Sequence, residues 1–138
     1  MTTKLPANYK PNKDEPFMNA KQREYFRQKL NSWREDLLQE SSATLQYLQE
    51  ASVNAPDIAD RASMEAERSV ELRTRDRARK LISKIDDALG RLEDGSYGYC
   101  VETEEPIGIQ RLEARPIATL SLEAQERHER MERTYRDD

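Results

Sequence analysis

The chain has 138 residues, 36% hydrophobic and 36% charged, with a formal net charge of −4. A mean hydropathy of −1.04 is too low for a chain wrapped around one large core and fits exposed helices or coiled coils, as one domain or as a small globular unit with a long protrusion. The acidic balance argues against an autonomous duplex-DNA binder, and no apolar run approaches a membrane span or a signal-peptide core. The single cysteine, Cys100, cannot form an intramolecular disulfide, so a cytoplasmic location is expected.

Residues 1–17 carry Pro6, Pro11 and Pro16 among Asn, Lys and Asp, and are expected to form a flexible N-terminal arm. The alternative is a strap lying against the base of the molecule. A first helix should run from near Asn19 to about Ser52. Phe26, Leu30, Trp33 and Leu37 step by four, three and four, a heptad seam that Thr44 and Leu48 continue after a weak centre at Glu40 and Ser41. Trp33 is expected to anchor the core.

The run Asn54-Ala-Pro-Asp-Ile-Ala-Asp-Arg61 then separates two long helical patterns. Pro56 has no N–H and biases Ala55 away from the α region, which ends one helix. Asp57 suits an N-cap and Asp60 the N3 place of a capping-box-like pair, which starts another. The second helix is expected from Asp57 to about Leu92. Its residues Leu81, Ile85, Ala88 and Leu92 repeat the four-three-four step, thinning toward the turn to Ile58, Ala62 and Val70. Residues 18–93 should therefore form a long antiparallel coiled-coil hairpin with its tip at 54–61. About 35 residues at ~1.5 Å each give an arm of roughly 50 Å, firmly packed at the base and weaker toward the tip.

Arg73, Arg75, Arg77, Arg79 and Lys80 crowd the middle of the second helix, either as a solvated face or as a docking surface for an acidic partner. Residues 94–138 should form a small globular base. Gly95 is placed to stop the helix and Gly98 to turn the chain, and short strands are expected between Tyr97 and Leu120. A last helix, roughly 121–136, should be capped by Ser121 or a neighbour, with Leu122 and Met131 available for packing. No catalytic constellation emerges. His128 is the sole histidine and lies in a highly charged stretch, Cys100 has no histidine nearby in sequence, and no phosphate-loop or metalloprotease motif occurs, so an enzyme is not expected.

Three stretches together resemble the DksA/TraR family of RNA polymerase-binding transcription factors: Pro56-Asp57-x-x-Asp60-Arg61-Ala62; the basic run from Glu71 to Arg77 with Arg79-Lys80-Leu81-Ile82; and Tyr97-Gly-Tyr-Cys100 leading into Ile107-Gly-Ile-x-Arg-Leu-Glu-Ala-Arg-Pro116. The resemblance covers nearly everything after residue 17. It implies a mainly α fold, a coiled-coil hairpin on a small zinc-finger-like base with a C-terminal helix. Usual family members hold zinc through four cysteines. The matching places here are Cys100, Thr103, Ser121 and Ala124, so the metal site is degenerate and zinc is not expected.

The function implied by the resemblance is control of transcription initiation without DNA contacts. The hairpin would enter the polymerase secondary channel, with Asp57, Asp60, Arg61 and Ala62 near the active centre and Arg73 and Arg77 at the channel rim. It would change open-complex stability, at ribosomal RNA promoters for example. Guanosine tetraphosphate is implied as co-regulator in the stringent response, with Leu81, Lys84 and Arg115 at matching positions, whereas Gln125 stands where the family carries a further lysine. No membrane contact and a monomeric state are expected. The alternatives are a transcript-cleavage-type factor using the same channel, and a generic coiled-coil interaction protein.

Overall fold

The computed structural model describes the backbone of residues 4–53 and 58–137, and the side chains of residues 4–50 and 61–135. Four helices follow in order: α1 (Ala20–Val53), α2 (Ile58–Asp94), α3 (Ile109–Ala114) and α4 (Leu122–Asp137). The long helices end within two residues of expectation, for local reasons. The Asn19 side chain accepts the Gln22 N–H at 2.9 Å and so caps α1. Gly95, at φ 86°, closes α2 as its N–H reaches the Arg91 carbonyl at 3.0 Å. The expected Asp57 cap lies outside the described residues.

The structure divides into two units, residues 31–86 and residues 1–30 with 87–138. The first unit is a helical hairpin. Leu37 and Leu48 are buried on α1 and Ile85 on α2, and Arg34 reaches Asp86 at 2.8 Å, which fixes the antiparallel register. Both members of that pair are substantially exposed, so it specifies register more than it stabilises.

The seam on α2 departs from expectation. Val70 is 53% exposed and Ala62 is also exposed, whereas Ala78, Arg75, Glu71 and Met64 are half-buried, continuing the spacing of Ile85 and Leu81. Arg75 and Glu71 can occupy a seam because their aliphatic stems pack while their charged ends reach water. Trp33 is half-buried rather than a core anchor. Ile58 has no described side chain.

The second unit is the base. Phe26, Leu30, Ala88 and Leu92 supply its helical wall, and Tyr97, Cys100, Leu112, Ile117, Ala118 and Ala124 fill the rest. Phe26 meets Tyr97 with ring centroids 5.7 Å apart, and the Tyr97 hydroxyl donates to the Pro116 carbonyl at 2.8 Å. The strands expected between Tyr97 and Leu120 reduce to one isolated bridge, Tyr99 to Pro106, followed by the six-residue α3. Proline there cannot donate to a ladder.

Residues 4–17 make the contacts of a strap. Phe17 sets its ring edge-on to Tyr99 at 5.4 Å, and Tyr9 does the same to Tyr25 at 6.1 Å. The fully buried Gln22 accepts the Met18 N–H at 2.8 Å and donates to the Asn12 carbonyl at 3.3 Å. A Cβ on Gly98 would stand 3.2 Å from both Phe17 and Met18, so the strap meets this turn where only glycine leaves room. Among the described residues, no helix is long and apolar enough to cross a membrane.

Candidate functional site

The residues singled out by sequence fall on three surfaces. Asp57 lies outside the described residues. Asp60 belongs to the first turn of α2, and its side chain lies outside those described. Arg61 and Ala62 are exposed.

On the hairpin, helical geometry sorts the basic run into two sets. Arg73, Arg77, Lys80 and Lys84 step by four, three and four and are all exposed, so they form one row along α2. The row spans about 16 Å at ~1.5 Å per residue, and it lies roughly opposite the seam that faces α1. Arg75 belongs to the seam instead. The Arg73 Nε donates to the Ser69 carbonyl one turn earlier at 3.4 Å, and Leu81 is half-buried beside the row. The place of Lys80 in this row was missed by counting basic residues. The spacing alone would have found it. Such a row suits an extended acidic surface.

The third surface is the turn at Cys100. The Cys100 N–H donates to the Glu105 carbonyl and the Glu104 N–H donates back to the Cys100 carbonyl, both at 2.8 Å, while the Val101 N–H reaches the Thr119 carbonyl at 2.9 Å. This knuckle brings Cys100, Thr103 and Ser121 together. Burial pushes the Cys100 thiol up. Hydrogen bonds from the Thr103 hydroxyl and from the N–H groups of Ser121, Thr103 and Glu102 more than offset that, and lower it from 9.0 to about 6.

The donor set does not fit zinc. Ala124 is fully buried and has no donor atom, and the Ser121 Oγ already accepts the Ala124 N–H at 3.2 Å as the cap of α4. The Thr103 Oγ1 accepts the Glu105 N–H at 3.3 Å. A single thiol with two engaged hydroxyls falls short of four-coordinate N/S ligation.

Around the knuckle, polar ties hold the base to α1. Lys29 Nζ reaches the Glu113 carbonyl at 2.9 Å and its carboxylate at 3.0 Å, and the Tyr25 hydroxyl donates to the same carboxylate. Burial, that hydrogen bond and the Glu113 charge raise Tyr25 to about 12. Arg115 is exposed just after α3, its N–H donating to the Arg111 carbonyl at 2.7 Å. His128 contacts Glu102, tying α4 to the knuckle. Leu122 and Met131, expected to pack, are 59% and 56% exposed. Among the described side chains of α4, Ala124 is the one that enters the core.

A helical hairpin that carries a row of cations, followed in the chain by a knuckle-type base, is the architecture of a hairpin-type interaction protein. Comparison with known proteins narrows this class. Residues 22–92 match the family model for the N-terminal domain of DnaK suppressor protein DksA, and residues 95–130 match the prokaryotic dksA/traR C4-type zinc finger. The chain belongs to the DksA family. It is 65% identical over 132 residues to the RNA polymerase-binding transcription factor DksA of Caulobacter vibrioides, covering 96% of this chain and 93% of that protein. The protein of the same name from Escherichia coli K12 is 45% identical over 115 residues, covering 83% and 76%. The solved structure of transcription factor DksA2 from Pseudomonas aeruginosa superposes with a TM-score of 0.80 at 44% identity, covering 85% of this chain and 90% of that one.

Proposed function

We propose that this protein binds RNA polymerase directly and regulates transcription initiation without contacting DNA. The observation that carries this is 65% identity along 96% of the chain to a protein named as an RNA polymerase-binding transcription factor. On this reading the hairpin enters the secondary channel, with Asp57, Asp60, Arg61 and Ala62 toward the active centre. The exposed row of Arg73, Arg77, Lys80 and Lys84 supports a role at the channel rim, since a line of cations steers and registers an acidic surface. The protein acts as a cytoplasmic monomer and needs no zinc, in keeping with the donors at Cys100, Thr103, Ser121 and Ala124.

Guanosine tetraphosphate is the co-regulator on the same reading, with Leu81, Lys84 and Arg115 as its contacts. Lysine and arginine suit pyrophosphate, arginine through paired hydrogen bonds. Gln125 contributes no charge where the family carries lysine, so alarmone dependence is weaker than in such relatives. The test is the lifetime of open complexes on a ribosomal RNA promoter, with and without alarmone, using the wild-type protein and Asp60→Asn. A shortened lifetime that Asp60→Asn abolishes while binding persists supports the reading. Absence of binding and of any effect on lifetime refutes it.

A further inference from the structure

The strap and α3 form two walls of an open cleft of about 670 Å³ within the base. Phe17, Ile107, Ile109 and Ala114 give it an apolar lining, and Leu122, the first residue of α4, stands at it 59% exposed. Lys13, Arg111 and Arg115 also line it, against the single carboxylate of Glu15. That carboxylate is engaged, accepting from the Tyr9 hydroxyl at 2.8 Å and from the Asn19 amide at 3.1 Å. The Arg111 Nε donates to the Leu120 carbonyl at 2.9 Å, which fixes this guanidinium beside the cleft. Among the described residues, neither Lys13 nor Arg115 forms an ion pair. A chain with a net charge of −4 thus carries a local excess of cations around an apolar lining.

We propose that this cleft docks a short acidic segment of RNA polymerase that inserts one apolar side chain against Phe17, Ile109 and Leu122. The inference rests on the polymerase-binding reading and adds to it a second contact, carried by the base rather than by the hairpin. Charge complementarity selects the occupant. An apolar anchor with carboxylates beside it satisfies both the lining and the cations of Lys13 and Arg111, with Arg115 left to the alarmone, whereas a basic or wholly apolar segment would leave those cations without counter-charge. The strap supplies Lys13 and Phe17, so its ordered contacts with Tyr99 and Gln22 also build one wall of the binding surface.

The test measures binding of the labelled full-length protein to core polymerase, comparing wild type, Lys13→Glu and Leu122→Glu, each shown by thermal melting to be folded. Both positions are exposed, so neither substitution disturbs the core, and Arg115 is left intact so that alarmone binding is not altered. Leu122→Glu should weaken binding about tenfold, the worth of one apolar anchor. Lys13→Glu should weaken it roughly two- to fivefold and flatten its salt dependence. Wild-type binding with both variants within about twofold of it overturns the cleft and leaves the polymerase reading standing. No binding by the wild type overturns both. A wild type that sediments as a dimer, with both variants monomeric, makes a second copy the occupant and also overturns the proposal.

Discussion

Tyr97 offers the sharpest test of how the base is held. Its side chain is 2% exposed, its ring packs on Phe26, and its hydroxyl donates to the Pro116 carbonyl at 2.8 Å across nineteen residues. Tyr97→Phe keeps the ring and removes only the donor. The loss is one buried hydrogen bond together with a Pro116 carbonyl deprived of its partner, about 1–2 kcal/mol. For a chain of this length a change of ~1 kcal/mol moves the midpoint by about 3–4 °C, so the variant should melt roughly 3–8 °C lower. The assay is thermal melting followed by near-ultraviolet circular dichroism of the tyrosines, with far-ultraviolet signal recorded in parallel. Tyr99→Phe is the control. Tyr99 is half-buried and packs through its ring against Phe17, so losing its hydroxyl should cost no more than about 0.5 kcal/mol. If Tyr97→Phe melts with the wild type, or no lower than Tyr99→Phe, the Pro116 bond does not hold the base and the argument fails.

Three further outcomes can be checked on the same protein. Gly98→Ala should destabilise the base by more than 1 kcal/mol on the order of backbone strain, because Gly98 has φ 89° and a Cβ would meet Phe17 and Met18 at 3.2 Å; a urea melt within error of wild type would contradict the strap contact. Ser121→Ala should cost about 1 kcal/mol, the worth of the α4 cap, read as faster amide exchange at Ala124. The Cys100 thiol has a folded pKa of about 6, below its ordinary 9.0, so its contribution to stability is absent below pH 6, grows as pH rises, and is complete above pH 9. Thr103→Val should raise that pKa and flatten the rise in urea-melt stability between these limits, and Cys100→Ser should remove the thiol's contribution altogether.

How much of this was legible in sequence depended on periodicity. Phe26, Leu30, Leu37 and Leu48 on one helix and Ile85, Ala88 and Leu92 on the other repeat at heptad spacing, and each is buried. Capping chemistry gave Gly95 and Ser121. The failures came where side-chain type and position disagree. Val70 looked like a seam residue because it is apolar, yet the spacing from Ile85 leads through Ala78, Arg75 and Glu71, and spacing prevailed over hydrophobicity. For residues 1–17 the sequence left a flexible arm and a strap open, because the ties that decide between them, Gln22 to Asn12 and Phe17 to Tyr99, join residues with no repeating interval. At six residues α3 is too short to display a period, and Leu122 gave no sign that its helix would bury Ala124 instead. Of the candidate tip, only its position between two helices was accessible to the sequence. The cation row was present in the spacing of Arg73, Arg77, Lys80 and Lys84, but it becomes apparent only once the seam is fixed.

The knuckle explains why a model of a four-cysteine zinc finger still matches residues 95–130 of a chain with one cysteine. The fold of this segment is specified by much more than its metal-facing positions. Gly98 admits the strap, Tyr97 ties the segment to Pro116, Leu112 fills the core, and the paired bonds between Cys100 and residues 104 and 105 shape the turn. At the four places that the resemblance matches to the family's cysteines, this chain has one thiol, two hydroxyls and a methyl. The changes are mutually consistent. The Thr103 hydroxyl and the N–H groups of Glu102, Thr103 and Ser121 converge on the remaining sulfur, the Ser121 hydroxyl caps α4, and the methyl of Ala124 is fully buried. Several donors around the sulfur stabilise its thiolate form, which burial in an apolar site without them would disfavour. Reintroducing cysteine at one position alone would therefore remove a cap, a donor or a packed methyl without completing a ligand set, and single reversions should destabilise the base rather than restore metal binding.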